Sequence, residues 1–266
     1  MKQATERLDR LLVERRLAPT REKAQALVMA GKVRVNAAPA VKAGMRVPRD
    51  AALEVTGQDH PYVSRGGVKL EGALREFGLD VTGLTALDIG ASTGGFTHCL
   101  LLHGAARVFA VDVGYGQLAW ELRTDARVTV LERTNIRHLP GDALGTAVEL
   151  VVVDVSFIAL ATVLRDACRF LAPGGRILAL LKPQFEAGRE HVRRGGRVTE
   201  AAVHAEVLER VGAVGETLGL RLLGHAASRL AGKKSGNVEY FLLWELPAGT
   251  PMPVVPGPDG GGAPPP

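Results

Sequence analysis

The chain has 266 residues, 46% of them hydrophobic and only 5% aromatic, and a formal net charge of +5. That length carries one full α/β domain and a small companion, so two domains are expected. No apolar run reaches the ~20 residues of a membrane span, and the opening MKQATERLDR lacks the apolar core of a secretory signal; a cytoplasmic protein with no membrane attachment is expected. Cys99 and Cys168 lie far apart in helix-like apolar patterns, without the CxxC spacing of a zinc or redox pair. They read as packed thiols, and no metal is expected.

The charge is unevenly placed. Residues 1–60 hold twelve Lys and Arg against seven acids, so the whole positive excess lies there and the remainder is neutral. Such a segment is a candidate for nucleic acid, because cations that neutralise phosphates release counterions; a solvated basic surface is the competing reading. In chain order, RLDRLLVERR and TREKAQALVMAG predict two helices. The second is opened by Thr20 and closed by Gly31, with Ala24, Leu27 and Val28 on its apolar face. VRVN, MRV and ALEV then alternate as short strands, with Asn36 and Gly44 in turns. Arg7, Arg21, Lys23, Lys32 and Arg34 are the candidate RNA-binding cations of this α-α-β unit. The run RLDRLLVERRLAPTREKAQALVMAGKVRVN resembles the small RNA-binding domain shared by a small-subunit ribosomal protein, pseudouridine synthases and some synthetases. Where that domain commonly carries a serine and an Asn-Gly turn, this chain has Thr20 and Asn36-Ala37.

GQDHPYVSRGG reads as a linker into a helix from Val68 to Phe77. Strand patterns follow at 84–89, 106–112, 127–131, 149–154 and 175–181, separated by helix-like stretches, which argues a parallel sheet covered on both faces. LRLLGHAASRL and NVEYFLLWEL, joined by AGKKSG, imply a closing antiparallel hairpin. The expected organisation is a basic domain at 1–58, a linker at 59–66, an α/β domain at 67–246 and a disordered Pro/Gly-rich tail at 247–266.

In ALDIGASTGGFTHCL a strand ending in Asp88 runs through Gly90, Gly94 and Gly95 into a helix. Such a turn lets backbone pass close to a nucleotide-like ligand at the carboxyl edge of the sheet. Dehydrogenases hold a pyrophosphate there, whereas methyltransferases hold the methionine part and ribose of S-adenosylmethionine. The spacing G-A-S-T-G-G in place of G-x-G-x-x-G, Asp112 ending the next strand, and the closing hairpin favour the second. Asp88 and Asp112 as helix caps or surface acids remain the bland alternative. Asp154 and Lys182 end two further strands, and opposite charges on successive strand ends beside a glycine turn read as an active-site pair.

DIGASTGGFT, VDVGYGQLAWELR, LERTN, DVSFI, LKPQFE and KSGNVEYF together resemble the TlyA family of rRNA methyltransferases over residues 5–246. The resemblance implies a basic RNA-binding α+β domain joined to an FtsJ-like, Rossmann-like class I methyltransferase domain, with a seven-stranded, mostly parallel sheet ending in an antiparallel hairpin. It implies transfer of a methyl group from S-adenosylmethionine to the ribose 2′-hydroxyl of cytidine in small- or large-subunit rRNA, or both. The family's Lys-Asp-Lys-Glu set maps onto Lys69, Asp154, Lys182 and Glu239. The implied cofactor residues are Asp88, Gly90, Ser92, Gly94, Gly95, Phe96 and Thr97 along the turn, Asp112 for the ribose and Asn135 near the adenine. Arg189, Arg193, Arg194 and Arg197, in the loop after Lys182, are expected over the RNA strand, a solvated loop being the alternative. The target nucleotide is expected to be flipped out of its helix.

A free lysine amine is almost wholly protonated at neutral pH. Two roles therefore stand open for Lys182: a general base, if burial and a second cation such as Lys69 weaken its hold on the proton, or a fixed charge stabilising a developing alkoxide. Two other functions compete: a non-catalytic RNA-binding or ribosome-assembly factor, and a membrane-active haemolysin, a label the family has also carried. Ribosomal RNA is the expected partner, and the protein is expected to be a monomer or a weak dimer.

Overall fold

A computed structural model describes residues 4–29, 31–55, 60–232 and 236–249. Residues 56–58 at the end of the expected basic domain, residue 59 of the expected linker, 233–235 of the hairpin loop and 250–266 of the expected tail lie outside the described residues. The chain separates into two compact units, residues 1–61 and 62–266.

In the first unit β1 (Thr5–Arg7) leads into α1 (Leu8–Glu14) and α2 (Arg21–Met29), followed by β2 (Val33–Val35), β3 (Ala38–Pro39), β4 (Arg46–Pro48) and β5 (Leu53–Val55). Leu8, Leu11, Leu12, Ala24, Val28, Val33 and Val47 form its core. Thr20 Oγ1 accepts the Lys23 amide at 3.2 Å, capping α2 as its sequence predicts. Asn36 and Ala37 both take left-handed φ values, 49° and 67°, so the tight turn forms without the glycine that usually relieves it. Strand β1, which pairs antiparallel with β4, is not evident from sequence because its Thr-Glu-Arg lacks an apolar alternation.

Within this unit Asp9, one of the seven acids, is fully buried. Its carboxylate accepts from Arg7 Nε and Nη2 (3.1 and 2.9 Å), Arg21 Nε (3.0 Å), Gln25 Nε2 (3.0 Å) and the Arg10 amide (3.0 Å). The Arg7 guanidinium, with Gln25 and Arg21, holds the Asp9 carboxyl well below the usual range against the opposing cost of burial. Arg7 and Arg21 are thus tethered and still partly exposed, whereas Lys23 and Arg34 are simply exposed.

The second unit opens with α3 (Arg65–Glu76) and continues β6 (Thr85–Ile89), α4 (Gly95–Leu102), β7 (Arg107–Val111), α5 (Trp120–Arg123), β8 (Val128–Leu131), β9 (Val148–Val153), α6 (Leu160–Cys168) and β10 (Leu171–Leu181). After α7 (Pro183–Glu186) and the long α8 (Ala201–Thr217) come β11 (Arg221–Ala227) and β12 (Tyr240–Glu245). The sheet order is β11-β12-β10-β9-β6-β7-β8. Strands β10, β9, β6, β7 and β8 are parallel, and β12 lies antiparallel between β10 and β11. Both faces are buried, so the central strands read as largely apolar runs such as VELVVV, in which Glu149 near the start is the one exposed residue. Alternate residues serve opposite cores: Leu87, Val151, Val153 and Trp244 face α6 and α8, while Ala86, Val152, Leu180 and Phe241 face α3 and α4.

Helix α3 begins three residues earlier than the expected Val68. Gly66 and Gly67 read in sequence as helix breakers, but Ser64 caps the helix by accepting the Gly66 amide, and Gly67 is where the buried Tyr62 ring lies flush against it. Both cysteines are buried, and burial pushes each thiol up to about 12.

Candidate active site

Four strands bring their ends to one edge of the sheet. Asp154 follows β9 and Lys182 follows β10; Glu239 precedes β12, whose Tyr240 is registered against Leu181 of β10. Because β12 runs antiparallel, its beginning lies at the edge where its parallel neighbours end. Asp88, inside β6, reaches the same end of the sheet, since Ile89 pairs with Val153.

Two ion pairs form there. Lys182 Nζ stands 2.5 Å from Asp154 Oδ1 and also donates to the Val155 carbonyl (2.9 Å) and Ser156 Oγ (3.0 Å). Lys69, one turn inside α3, donates to Glu239 Oε2 at 2.5 Å. All four side chains are largely enclosed, Asp154 least so. Each lysine is thereby bound to its own carboxylate.

The glycine turn is built for close approach. Gly90 has φ +85°, and a Cβ there would lie 2.5 Å from the Asp154 carbonyl oxygen. Ser92 takes φ 49° and stands exposed, its amide donating to Asp112 Oδ2 at 2.7 Å. Asp112 Oδ1 accepts the Gly114 amide at 2.6 Å, so this carboxylate clasps the turns after β6 and β7. Gly94, Gly95, Phe96 and Thr97 are buried. Gly95 leaves room for Ser64 and the first turn of α3, and Phe96 stacks on Phe241 at 6.0 Å. These four support the turn from beneath, and Gly90, Ser92 and Asp112 are its accessible part. Asn135 is exposed and caps a short 3-10 turn at 136–138 by accepting the Arg137 amide.

Asp88 Oδ2 accepts both the amide (2.9 Å) and hydroxyl (2.7 Å) of Thr97, while its Oδ1 is buried without a hydrogen-bond partner. Burial, reinforced by the charge of Asp154 and opposed by Thr97, raises its carboxyl to about 7. A carboxyl raised in the folded state holds a proton that the unfolded chain gives up near pH 4. This residue therefore withdraws stability as pH rises from about 4 to 7, the cost staying full above that. Asp88→Asn keeps the acceptor toward Thr97 and removes the titration. Its stability relative to the parent should improve steadily between pH 4 and 8 in urea unfolding of the free protein; parallel stability curves would disprove the assignment.

The basic loop after Lys182 closes on itself. Arg193 and Arg197 form an antiparallel bridge, with Arg194, Gly195 and Gly196 as its turn. Arg193 pairs with Glu200, while the other three arginines are exposed, Arg189 beside a cavity of about 510 Å³. That cavity is lined by Phe157, Ile158, Gln184 and Phe185 among others. Phe157, in DVSFI, was not singled out from sequence, yet it is 89% exposed and holds a left-handed φ of 66°. A bulky residue rarely holds such a backbone conformation, and this one lies three residues after Asp154 with its ring 5.0 Å from that of Phe185. Its segment is fixed by Glu186, whose carboxylate accepts the Leu160 amide at 2.7 Å and is raised by burial.

Comparison with known proteins agrees with this layout. The FtsJ-like methyltransferase model matches residues 62–246, and the S4 domain model matches residues 6–52. The chain is 50% identical over 237 residues to the 16S/23S rRNA (cytidine-2′-O)-methyltransferase TlyA of Mycobacterium tuberculosis, covering 89% of this chain and 88% of that one. It is a TlyA-type member of the FtsJ-like methyltransferase family. Hemolysin A of Brachyspira hyodysenteriae is 37% identical to this TlyA-type chain over 236 residues, 88% of this chain and 98% of that one. A solved structure of a hemolysin-named protein from Streptococcus thermophilus superposes with a TM-score of 0.71 at 41% identity, covering 96% of this chain and 92% of that one.

Proposed function

We propose that this methyltransferase acts on the ribose 2′-hydroxyl of cytidine in ribosomal RNA, using S-adenosylmethionine, and that Lys69, Asp154, Lys182 and Glu239 carry the chemistry. The observation that carries the reading is the pair of lysine–carboxylate contacts at one sheet edge beside the Gly90 turn. The cofactor fits the residues present. Gly90 and Ser92 offer a turn with accessible backbone, Asp112 a carboxylate for ribose hydroxyls, and Asp88 a buried oxygen still without a partner. When bound it supplies a sulfonium-activated methyl group. Asn135 is assigned to the adenine side, and Gly94, Gly95, Phe96 and Thr97 to supporting the turn.

Lys182 Nζ donates to the Val155 carbonyl and Ser156 Oγ and pairs with the Asp154 carboxylate, an environment that suits an ammonium with one N–H left for a substrate oxygen. Of the two roles open in the sequence, this favours the fixed charge: Lys182 holds the hydroxyl oxygen and stabilises negative charge growing on it as the oxygen takes the methyl group and its proton passes to solvent water. Asp154 orients Lys182, and Glu239 orients Lys69. Phe157 offers a flat apolar face to a nucleobase that has left its stack. RNA backbone is assigned to Arg7, Arg21, Lys23, Lys32 and Arg34 in the first unit and to Arg189, Arg193, Arg194 and Arg197 in the second. The residue ranges 1–58, 59–66 and 67–246 are read as RNA-binding domain, linker and methyltransferase domain.

The test is transfer of labelled methyl from S-adenosylmethionine to separated small subunits, large subunits and naked rRNA. Label on a cytidine 2′-oxygen of either subunit is the expected result, and the distribution gives the range of substrates. Cofactor binding without label on any of them would favour an assembly factor. For the haemolysin name, no helix among the described residues is long and apolar enough to cross a membrane; leakage of liposomes at nanomolar protein would overturn the present reading.

A further inference from the structure

The motif KSGNVEYF supplies Glu239 to the proposed site, but its asparagine has no part in that chemistry. Asn237 is nonetheless 4% exposed and makes a full set of side-chain hydrogen bonds. Its Nδ2 donates to Gln184 Oε1 (2.9 Å) and to the Gly196 carbonyl (2.8 Å), and its Oδ1 accepts the Val198 amide (3.1 Å). Gln184 lies two residues after Lys182, Gly196 and Val198 belong to the arginine turn and its stem, and Asn237 itself lies two residues before Glu239. One amide thus joins the three segments that carry Lys182, Glu239 and the cations of the basic loop.

A second contact holds the same stem from the other side. His204 of α8 bonds the Val198 carbonyl through Nε2 (3.0 Å) and the Tyr240 hydroxyl through Nδ1 (2.9 Å). Val198 is therefore pinned at its amide by Asn237 and at its carbonyl by His204, while Arg194 and Gly195 at the tip of the turn remain exposed. The stem is rigid and the tip is presented. Only a side chain with two donors and one acceptor at this length satisfies the site: aspartate sets a carboxylate oxygen against the Gly196 carbonyl, and alanine leaves buried polar groups unpaired.

We infer that Asn237 is a positioning residue that fixes the arginine turn at a set height over the Lys182 and Glu239 edge, so that the backbone of the RNA strand and the reacting ribose are registered together. This rests on the reading of the protein as an RNA 2′-O-methyltransferase. It acts through the turn and not on the methyl donor, so the two KM values separate.

The test is steady-state methylation of the ribosomal subunit that the parent enzyme labels, comparing Asn237→Ala, Arg194→Ala and the double variant. Asn237→Ala is expected to raise the KM for RNA by about tenfold with the KM for S-adenosylmethionine little changed. Once the turn is unregistered, Arg194→Ala should add much less than it does in the parent, a non-additivity that a merely structural role does not produce. Should Asn237→Ala fail to fold, Gly196→Ala strains the same turn from its φ of +75° and should raise the RNA KM alone. An unchanged RNA KM in folded Asn237→Ala, or fully additive effects, overturns the inference while leaving the proposed function intact. A parent enzyme that labels no RNA fails that function first.

Discussion

Replacing Lys182 with alanine should reduce methyl transfer on the order of 10³-fold while S-adenosylmethionine still binds. The amine is wholly committed to the site: it touches Asp154 Oδ1, the Val155 carbonyl and Ser156 Oγ, and the cofactor turn is held by other residues. Alanine removes the charge proposed to face the reacting oxygen and leaves the Asp154 carboxylate without its counterion. That second effect opposes negative charge on the hydroxyl oxygen, so the loss in rate exceeds that of one missing hydrogen bond. Lys182→Arg keeps the charge but changes its shape and reach, and it should recover only a small part of the rate. Single-turnover methylation at saturating cofactor, with binding followed by calorimetry, separates the chemical step from affinity. Activity within tenfold of the parent in Lys182→Ala would remove this residue from the reaction.

Gly90→Ala should be nearly as damaging for a different reason. A left-handed backbone costs a non-glycine residue about 1–3 kcal/mol, and here the added methyl also meets the Asp154 carbonyl at 2.5 Å. That contact is with backbone, which cannot swing aside, so either the turn or the Asp154 strand end must move. Both belong to the proposed site. Cofactor affinity and turnover should therefore fall together by at least about tenfold, each tenfold being about 1.4 kcal/mol, and thermal unfolding should come several degrees lower. Gly116, at φ +69° with open space around it, is the control: alanine there bears strain without a clash and should affect catalysis far less.

What the sequence made legible was whatever depends on local pattern. The strand ends near Asp88, Asp112, Asp154 and Lys182 were readable because a strand buried on both faces is a largely apolar run, with these charged residues at or next to its end. Asp9 was hidden because its burial depends on Arg7 of β1 and Arg21 and Gln25 of α2 converging on it. The early start of α3 was hidden because Gly67 serves a tertiary contact with Tyr62 that outweighs its poor helix propensity. The supporting roles of Gly94 and Gly95 were masked by the motif itself, which does not distinguish a glycine that faces a ligand from one that faces another helix. Phe157 carried no pattern at all, since an aromatic residue after a strand usually enters the core.

The placement of β12 bears on when this protein becomes an enzyme. It is the last described strand in chain order, yet it lies between β10 and β11 and contributes Trp244 and Phe241 to opposite cores. Until it arrives, both neighbouring strands keep an unpaired edge, and the sheet cannot close. Glu239 enters at the start of the same strand. A nascent chain still on its ribosome therefore holds the glycine turn, Asp154 and Lys182 without Glu239, and the proposed site is complete only once synthesis has passed this strand.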